Sequence, residues 1–325
     1  MRTELINACK RFIENRDAFR ASSSFEPMMI YPVCAGVLQA KKRTVTAEEI
    51  KECKKMLKEN TGVFSDFRGN VKLPIIAMLL SEPDYERKFQ NITEAYSVLK
   101  KHFFASQGLT LAAFVMAEVS TPLRYEETAQ RAKNIYDFIK KKHPFLTNGD
   151  DSAFCVMMTL SKKSDEEIAA DVEECYKTLK KEFLSSNSVQ GLSFILALCE
   201  EVPCSEKCER AKEIYSALRE RKVKFSASTY LPVIGAAAIS DKPVDLIADD
   251  VKEVFDFLKT QKGYGLFGAD KASAAMHSVM IVNAEIAEEN IGSEIASVVA
   301  TVAVIAAQQA AMTASVAAAS ASASN

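Results

Sequence analysis

Residues 92–101 read ITEAYSVLKK, and the same frame returns as AKNIYDFIKK (132–141), VEECYKTLKK (172–181), AKEIYSALRE (211–220) and VKEVFDFLKT (251–260). The central aromatic is Tyr96, Tyr136, Tyr176, Tyr215 and Phe255, at intervals of 40, 40, 39 and 40 residues. Three positions on stand Leu99, Ile139, Leu179, Leu218 and Leu258. Four positions before it stand Ile92, Ala132, Val172, Ala211 and Val251, and seven before it Phe89, Ala129, Ala169, Cys208 and Ala248. Positions −7, −4, 0 and +3 fall on one side of a 3.6-residue helix, so each segment predicts a helix with a single apolar stripe. A period held this closely identifies a repeat array.

Upstream of each stripe lies a second apolar segment: LPIIAMLL, LAAFVMAEV, AFCVMMTL, LSFILALC and LPVIGAAAI. A degenerate first unit, YPVCAGVLQA followed by AEEIKECKKMLKE, precedes them. Pro32, Pro74 and Pro232 fall where a first helical turn is expected, a place where the missing N–H costs nothing. Turns rich in capping residues (SEPD, STPL, SKKSD, SDKP) separate the two segments. The unit is therefore an antiparallel helix pair that cannot bury its stripe alone and must stack on neighbours. The expected fold is all-α: an α-solenoid of about six 40-residue pairs over residues 24–262. Residues 1–23 are expected to cap one end, and the helices of 263–325 the other.

Composition agrees with a globular helical chain. Lys and Arg total 41 against 43 Asp and Glu, so no bulk charge drives the chain to nucleic acid or to anionic lipid. Only 11 Gly and 9 Pro are present among 325 residues, too few to turn many hairpins. The N-terminal residues carry charges throughout and read as an amphipathic helix, not as a secretory signal. The eight cysteines are accordingly expected to be thiols in the cytoplasm.

No residue is nominated for catalysis, for a cofactor or for a metal. Cys199, Cys204 and Cys208 are spaced C-x4-C-x3-C, but a C-x2-C knuckle is absent and no histidine stands near in sequence. Cys208 occupies a stripe position held elsewhere by alanine, which marks it as a buried small residue. His102 and His143 follow Lys-rich helix ends, where they complement the helix dipole; His277 lies in the apolar run SAAMHSVMIV and reads as a packed side chain. Walker, Rossmann, G-x-S-x-G and H-E-x-x-H motifs are absent.

Each striped helix starts acidic and ends basic. Macrodipole complementarity explains this at roughly 0.3–1 kcal/mol per end. Stacking also aligns the ends into one basic edge, represented by Lys101, Lys141, Lys181 and Arg221, that suits an acidic partner or a phosphate backbone. Aromatic side chains do not interleave these lysines in a base-stacking pattern, which counts against nucleic acid. Beyond Glu294 the chain carries no charge at all. The apolar run from 295 is long enough for a bilayer, yet Gln308 and Gln309 interrupt it and no Lys or Arg anchors it. Capping of the solenoid or self-association through 295–318 is favoured over a membrane span.

The units ending IYxxL, the break GYGLFGADKASAAM and the tail AAQQAAMTASVAAA together resemble a bacterial, Firmicutes-type domain-of-unknown-function family, family 4003, across essentially the whole chain. The resemblance implies a bacterial, intracellular protein and supplies no activity and no site residues. In architecture the repeats are similar to HEAT-like and tetratricopeptide arrays, although the chain has no Trp to match the tetratricopeptide motif. The expected function is that of a non-enzymatic scaffold for a protein partner. The alternatives are a membrane-associated protein tethered by its tail, or an enzyme with a site in a groove between repeats.

Overall fold

The computed structural model describes residues 1–289 apart from 24, 25, 27, 29, 64, 70, 228–230 and 266–272. Among the described residues the regular structure is helical: α1 (Thr3–Ser22), α2 (Ile30–Gln39), α3 (Ala47–Glu59), α4 (Lys72–Leu79), α5 (Tyr85–Leu99), α6 (Gln107–Val119) and α7 (Tyr125–Lys142). The chain continues through α8 (Ser152–Met158), α9 (Asp165–Leu179), α10 (Ser186–Ala197), α11 (Cys204–Glu220), α12 (Gly235–Ala238), α13 (Val244–Lys259) and α14 (Ala274–Glu289). A 3-10 turn, Leu231–Ile234, leads into α12.

The two sequence patterns become two layers. The striped segments form α5, α7, α9, α11 and α13, each burying one face, with Ile92, Ala95, Tyr96 and Leu99 of α5 as the type. The upstream segments form the even-numbered helices, and these are buried on every side: all ten residues of α2 and all seven of α8 are inaccessible. A helix apolar all round belongs inside a core, and one with a stripe belongs on its surface. The start signals are satisfied as their chemistry requires. Thr46 with Glu49 and Ser164 with Glu167 form capping boxes on α3 and α9, and Asp84 accepts from the Arg87 N–H at the start of α5; each such cap stabilises by about 1 kcal/mol. Pro32 and Pro74 lie in the first turns of α2 and α4.

Side chains at fixed repeat positions lock one unit to the next. Arg131 of α7 donates to the carbonyls of Thr159 (2.8 Å), Ser161 (2.9 Å) and Lys163 (2.7 Å) and pairs with Asp165, gripping the α8–α9 turn. Arg210 of α11 does the same to the Lys242 carbonyl. Eight residues before the central aromatic, buried Lys88 and Lys207 reach back to the turn of their own pair, Lys88 to Ser81 (3.1 Å) and Lys207 to the Cys199 carbonyl (2.5 Å), and Lys88 also pairs with Glu118 of α6 in the next unit (2.7 Å).

The ends of the array are not separate. α1 packs on α2 and α3 on one side and on α13 and α14 on the other, while α14 also packs on α2. Residues 1–23 and the helix of 274–289, expected at opposite ends of a solenoid, instead pack on each other, while 290–325 lie outside the described residues. Helix α1 takes the outer position of a seventh pair whose inner member is α14, and the array closes into a ring with even helices inside and odd helices outside. The physical reason lies in the faces of α1. Leu5, Ala8, Phe12, Arg16 and Phe19 give it the same one-sided stripe as the other outer helices, and α13 and α2 both present open flanks for it. At this seam Arg11, Gln39 and buried Glu285 hydrogen-bond one another, with Lys42 3.7 Å from Glu285. Gly36 of α2 faces the Met280 methyl of α14 so closely that a Cβ there would stand 2.0 Å from it.

Candidate docking rim

The connections from each outer helix to the next inner helix gather on one rim. Their geometry repeats with the helices. In the connections after α5, α7 and α9 one aromatic turns inward and meets the central tyrosine of the following outer helix: Phe103 on Tyr136 (5.4 Å between ring centres), His143 on Tyr176 (4.5 Å) and Phe183 on Tyr215 (5.3 Å). Phe67 makes the equivalent edge-on contact with Tyr96 at 5.1 Å. Such pairs contribute about 0.5–1.5 kcal/mol beyond their buried area.

His143 thus holds the position of Phe103 and Phe183, one repeat on either side. Its Nε2 lies 2.5 Å from Glu173, so the imidazole adds a hydrogen bond to a packing role. Burial of Glu173 works to raise its pKa, but hydrogen bonds from Lys177 and His143 outweigh that and hold the carboxyl below the usual range. His102, one residue out of that frame, bonds Glu126 at 2.8 Å. Both histidines stand just past a Lys-rich helix end and have a carboxylate partner there as well.

Next along each connection a large apolar side chain turns outward. Phe104 is 97% exposed, Phe145 is 99% exposed and Leu184 is 94% exposed. In the connections after α5 and α9 the tucked residue is followed directly by the exposed one, and in the α7–α8 connection Pro144 stands between the two. Three nearly bare apolar side chains at matched positions go beyond the scattered exposure normal for a surface.

Basic groups flank them. Lys100, Lys140, Arg219 and Lys259 lie over the ring four residues earlier on their own helix, at 4.9–5.6 Å from the centroids of Tyr96, Tyr136, Tyr215 and Phe255. The four residues of the expected basic edge divide into two kinds. Lys101 pairs with Glu126 (2.9 Å), and Arg221 pairs with Asp245 (2.9 Å) and Asp249 (2.6 Å), each on the following outer helix. Those contacts lower the pKa of Glu126 through hydrogen bonds from Lys101 and His102 and raise that of Arg221 through Asp249. Lys141 and Lys181 are exposed at the rim, and no ion pair engages them among the described residues. The acidic starts of the outer helices therefore neutralise part of the basic edge, and the remainder surrounds the apolar tips.

The strings KHFF, KKHPF and KEFL set aromatics beside the lysines once per repeat, a spacing far wider than that of stacked bases. The signal was present, because Phe103, His143 and Phe183 recur at 40-residue intervals, but it lies just past the helices that defined the frame.

The eight cysteines are all buried thiols. Burial raises Cys9 and Cys53 to about 12 and lifts Cys34 and Cys155 well above the ordinary range, which opposes thiolate chemistry. Among the described residues no cluster of His, Cys, Asp and Glu has the arrangement to hold a metal ion. His277 is packed between Phe12 and Tyr264, with the Tyr264 hydroxyl 2.8 Å from Nδ1.

A family model matches residues 20–310 under the description Protein of unknown function (DUF4003). The chain belongs to this family. The match takes in every helix from α2 to α14 and runs past them into the uncharged tail. Neither a curated protein nor a solved structure matches the chain. Among the described residues no helix is long and apolar enough to cross a membrane; the run from 295 falls outside them.

Proposed function

We propose that this chain is a non-enzymatic scaffold of the bacterial cytoplasm that docks a protein partner on its basic, apolar-tipped rim. The observation that carries the reading is the row of Phe104, Phe145 and Leu184, each at least 94% exposed at a matched place in successive units. Neighbouring helices pack about 8–10 Å apart, so the tips follow one another at close to the 10.5 Å that separates i and i+7 on a helix, at 1.5 Å per residue. An amphipathic helix with apolar residues at i, i+7 and i+14 meets all three tips. Acidic residues on its flanks would face Lys141 and Lys181. Leu184 offers no π face and the tips are spaced far wider than stacked bases, which favours a peptide over a nucleic acid. Buried, unpaired thiols support the reducing compartment.

The test compares the native chain with the Phe104→Ser/Phe145→Ser/Leu184→Ser variant. The probe is a labelled acidic helical peptide carrying Leu at i, i+7 and i+14. The native chain is expected to bind it at least ten times more tightly than the variant, with affinity falling as salt rises. Equal binding by the two chains, or binding by the native chain only to anionic vesicles or to single-stranded nucleic acid, contradicts the proposal.

A further inference from the structure

The interface between α9 and α11 departs from the repeat in its chemistry. One place before the central aromatic the other outer helices carry Ala95, Ile135, Ile214 and Val254, and α9 carries Cys175. Seven places before it they carry Phe89, Ala129, Ala169 and Ala248, and α11 carries Cys208. Eleven places before it they carry Tyr85, Tyr125, Asp165 and Val244, and α11 carries Cys204. Packing between like units is satisfied elsewhere without sulfur, so it does not account for thiols at all three places. Cys9, Cys34, Cys53 and Cys155 are distributed over α1, α2, α3 and α8.

The two helices hold these thiols at matched levels. Asp171 and Cys175 lie one turn apart on α9, as Cys204 and Cys208 do on α11. Cys204 Sγ is 3.6 Å from the Asp171 carbonyl oxygen, and Cys208 Sγ is 3.8 Å from that of Cys175. A helical side chain leans toward the N-terminus of its own helix. The Cys175 side chain therefore leans toward the Asp171 level, where the Cys204 sulfur sits. The Cys175 thiol is in hydrogen-bond contact with the thiols of both Cys204 and Cys208. Such close approach of sulfur to the opposing backbone is what a disulfide between neighbouring helices requires.

Access distinguishes the three. Cys204, the first residue of α11, is 7% exposed, whereas Cys175 and Cys208 are fully buried. We propose that Cys175 and Cys204 form an oxidation site, at which a hydroperoxide converts the two thiols into a disulfide that staples α9 to α11. In the first step the Cys204 sulfur attacks the O–O bond, forming the Cys204 sulfenic acid and releasing an alcohol, or water when the oxidant is hydrogen peroxide. In the second step the Cys175 sulfur displaces the sulfenic hydroxyl, which leaves as water with the Cys175 thiol proton, and the S–S bond forms. The thiols give up two electrons and two hydrogens, and the peroxide takes both. A small dithiol reverses the change by exchange.

The surroundings set the pace of this chemistry. The hydrogen bond from Cys204 lowers the pKa of Cys175, but contact with Cys208 and burial outweigh it and leave the thiol raised to about 12. Contact with Cys175 and burial raise Cys204 also, against the ammonium of buried Lys207. Both thiols are thus protonated at rest and react slowly. The site answers a sustained oxidant load and stays reduced in an ordinary reducing compartment.

The experiment treats the reduced full-length chain with excess hydrogen peroxide under native conditions. The remaining thiols are alkylated in denaturant and the peptides mapped by mass spectrometry. Of the eight cysteines, Cys175 and Cys204 are expected in one linked pair of peptides, two hydrogens lighter than the reduced pair. This linkage is expected to exceed any other by roughly tenfold or more, and dithiothreitol should restore both thiols. Proximity along the chain alone favours Cys199–Cys204 and Cys204–Cys208 instead. Those pairs as the main product, sulfinic acid at Cys204 without a cross-link, or eight intact thiols each overturn the proposal. In a Cys204→Ala chain the oxidation of Cys175 is expected to slow by roughly tenfold or more, since its entry thiol is gone. Unchanged oxidation of Cys175 also overturns it.

Discussion

The middle of this ring and its seam are held together differently. From α4 to α13 one scheme repeats: an apolar stripe, an arginine or lysine that grips a turn, and a loop aromatic set edge-on against the next tyrosine. At the seam, where α1 meets α13 and α14, that scheme gives way to a different set of contacts. Arg11, Gln39 and Glu285 form a buried polar cluster, Arg2 pairs with Asp250 at 2.8 Å, and Phe12 and Tyr264 enclose His277. The difference teaches that a repeat can supply stacking anywhere along its length, while closure needs residues specific to the join. An array that closes also removes the two exposed apolar ends that an open stack must cap.

The largest effect expected from breaking this contrast is at Phe12. Phe12→Ala at the seam is expected to destabilise by about 3–5 kcal/mol, since its ring is fully buried. In an open solenoid the same change would fray one end and leave the rest standing. Urea unfolding followed by two probes checks this: a closed ring loses stability everywhere in one transition. Next in size, Glu285→Ala is expected to cost roughly 3 kcal/mol by leaving Arg11 and Gln39 without their acceptor. The Arg11→Met/Glu285→Leu pair should recover most of that loss, and a double-mutant cycle measures the coupling. An intermediate effect is expected at Gly235, where a Cβ would stand 2.5 Å from the Ile195 side chain. Gly235→Ala should cost about 1–3 kcal/mol through overpacking between neighbouring inner helices.

The two regions are also expected to answer pH with opposite sign. Burial, reinforced by Arg16, lowers His277 at the seam from 6.5 to about 3. The unfolded chain takes up that proton below 6.5 and the folded chain does not, so the seam loses stability as pH falls from 6.5 toward 3. In the α7–α8 connection, burial raises Asp151 from 3.8 to about 7, assisted by Asp150 and opposed by the Asn148 N–H. There the folded chain keeps a proton that the unfolded chain releases above 3.8, so this site loses stability as pH rises from 3.8 to 7. Stability curves of His277→Phe and Asp151→Asn between pH 5 and 8 should each lose one of these slopes, in opposite directions. The smallest effect belongs to the rim: Phe104→Ser, Phe145→Ser and Leu184→Ser are each expected to change stability by less than about 0.5 kcal/mol. A larger loss would mean that the tips pack against something within the chain.

The contrast also explains what was legible in the sequence. Tyr96, Tyr136, Tyr176, Tyr215 and Phe255 announced the outer helices because packing of like on like preserves a period, and the all-helical class followed from them. Closure was not legible. The stripe of α1 shows that this helix needs a partner and does not say which one, and Arg11 and Glu285 are 274 residues apart with no repeat to relate them. Within the expected basic edge, Lys101 and Arg221 are engaged by Glu126, Asp245 and Asp249. That pairing depends on the inclination of neighbouring helices, which a linear pattern does not encode. Phe104, Phe145 and Leu184 were overlooked because a loop residue tells nothing of its exposure until the residue before it is placed.

The most direct test of closure is a distance across the seam. Spin labels on Glu4→Cys and Leu246→Cys, both exposed positions on α1 and α13, report it by pulsed dipolar spectroscopy; the eight native thiols are buried. Adjacent helices about 10 Å apart predict a narrow distribution below about 25 Å between labels. A distribution centred beyond about 40 Å, as five intervening pairs would impose in an open stack, contradicts the ring.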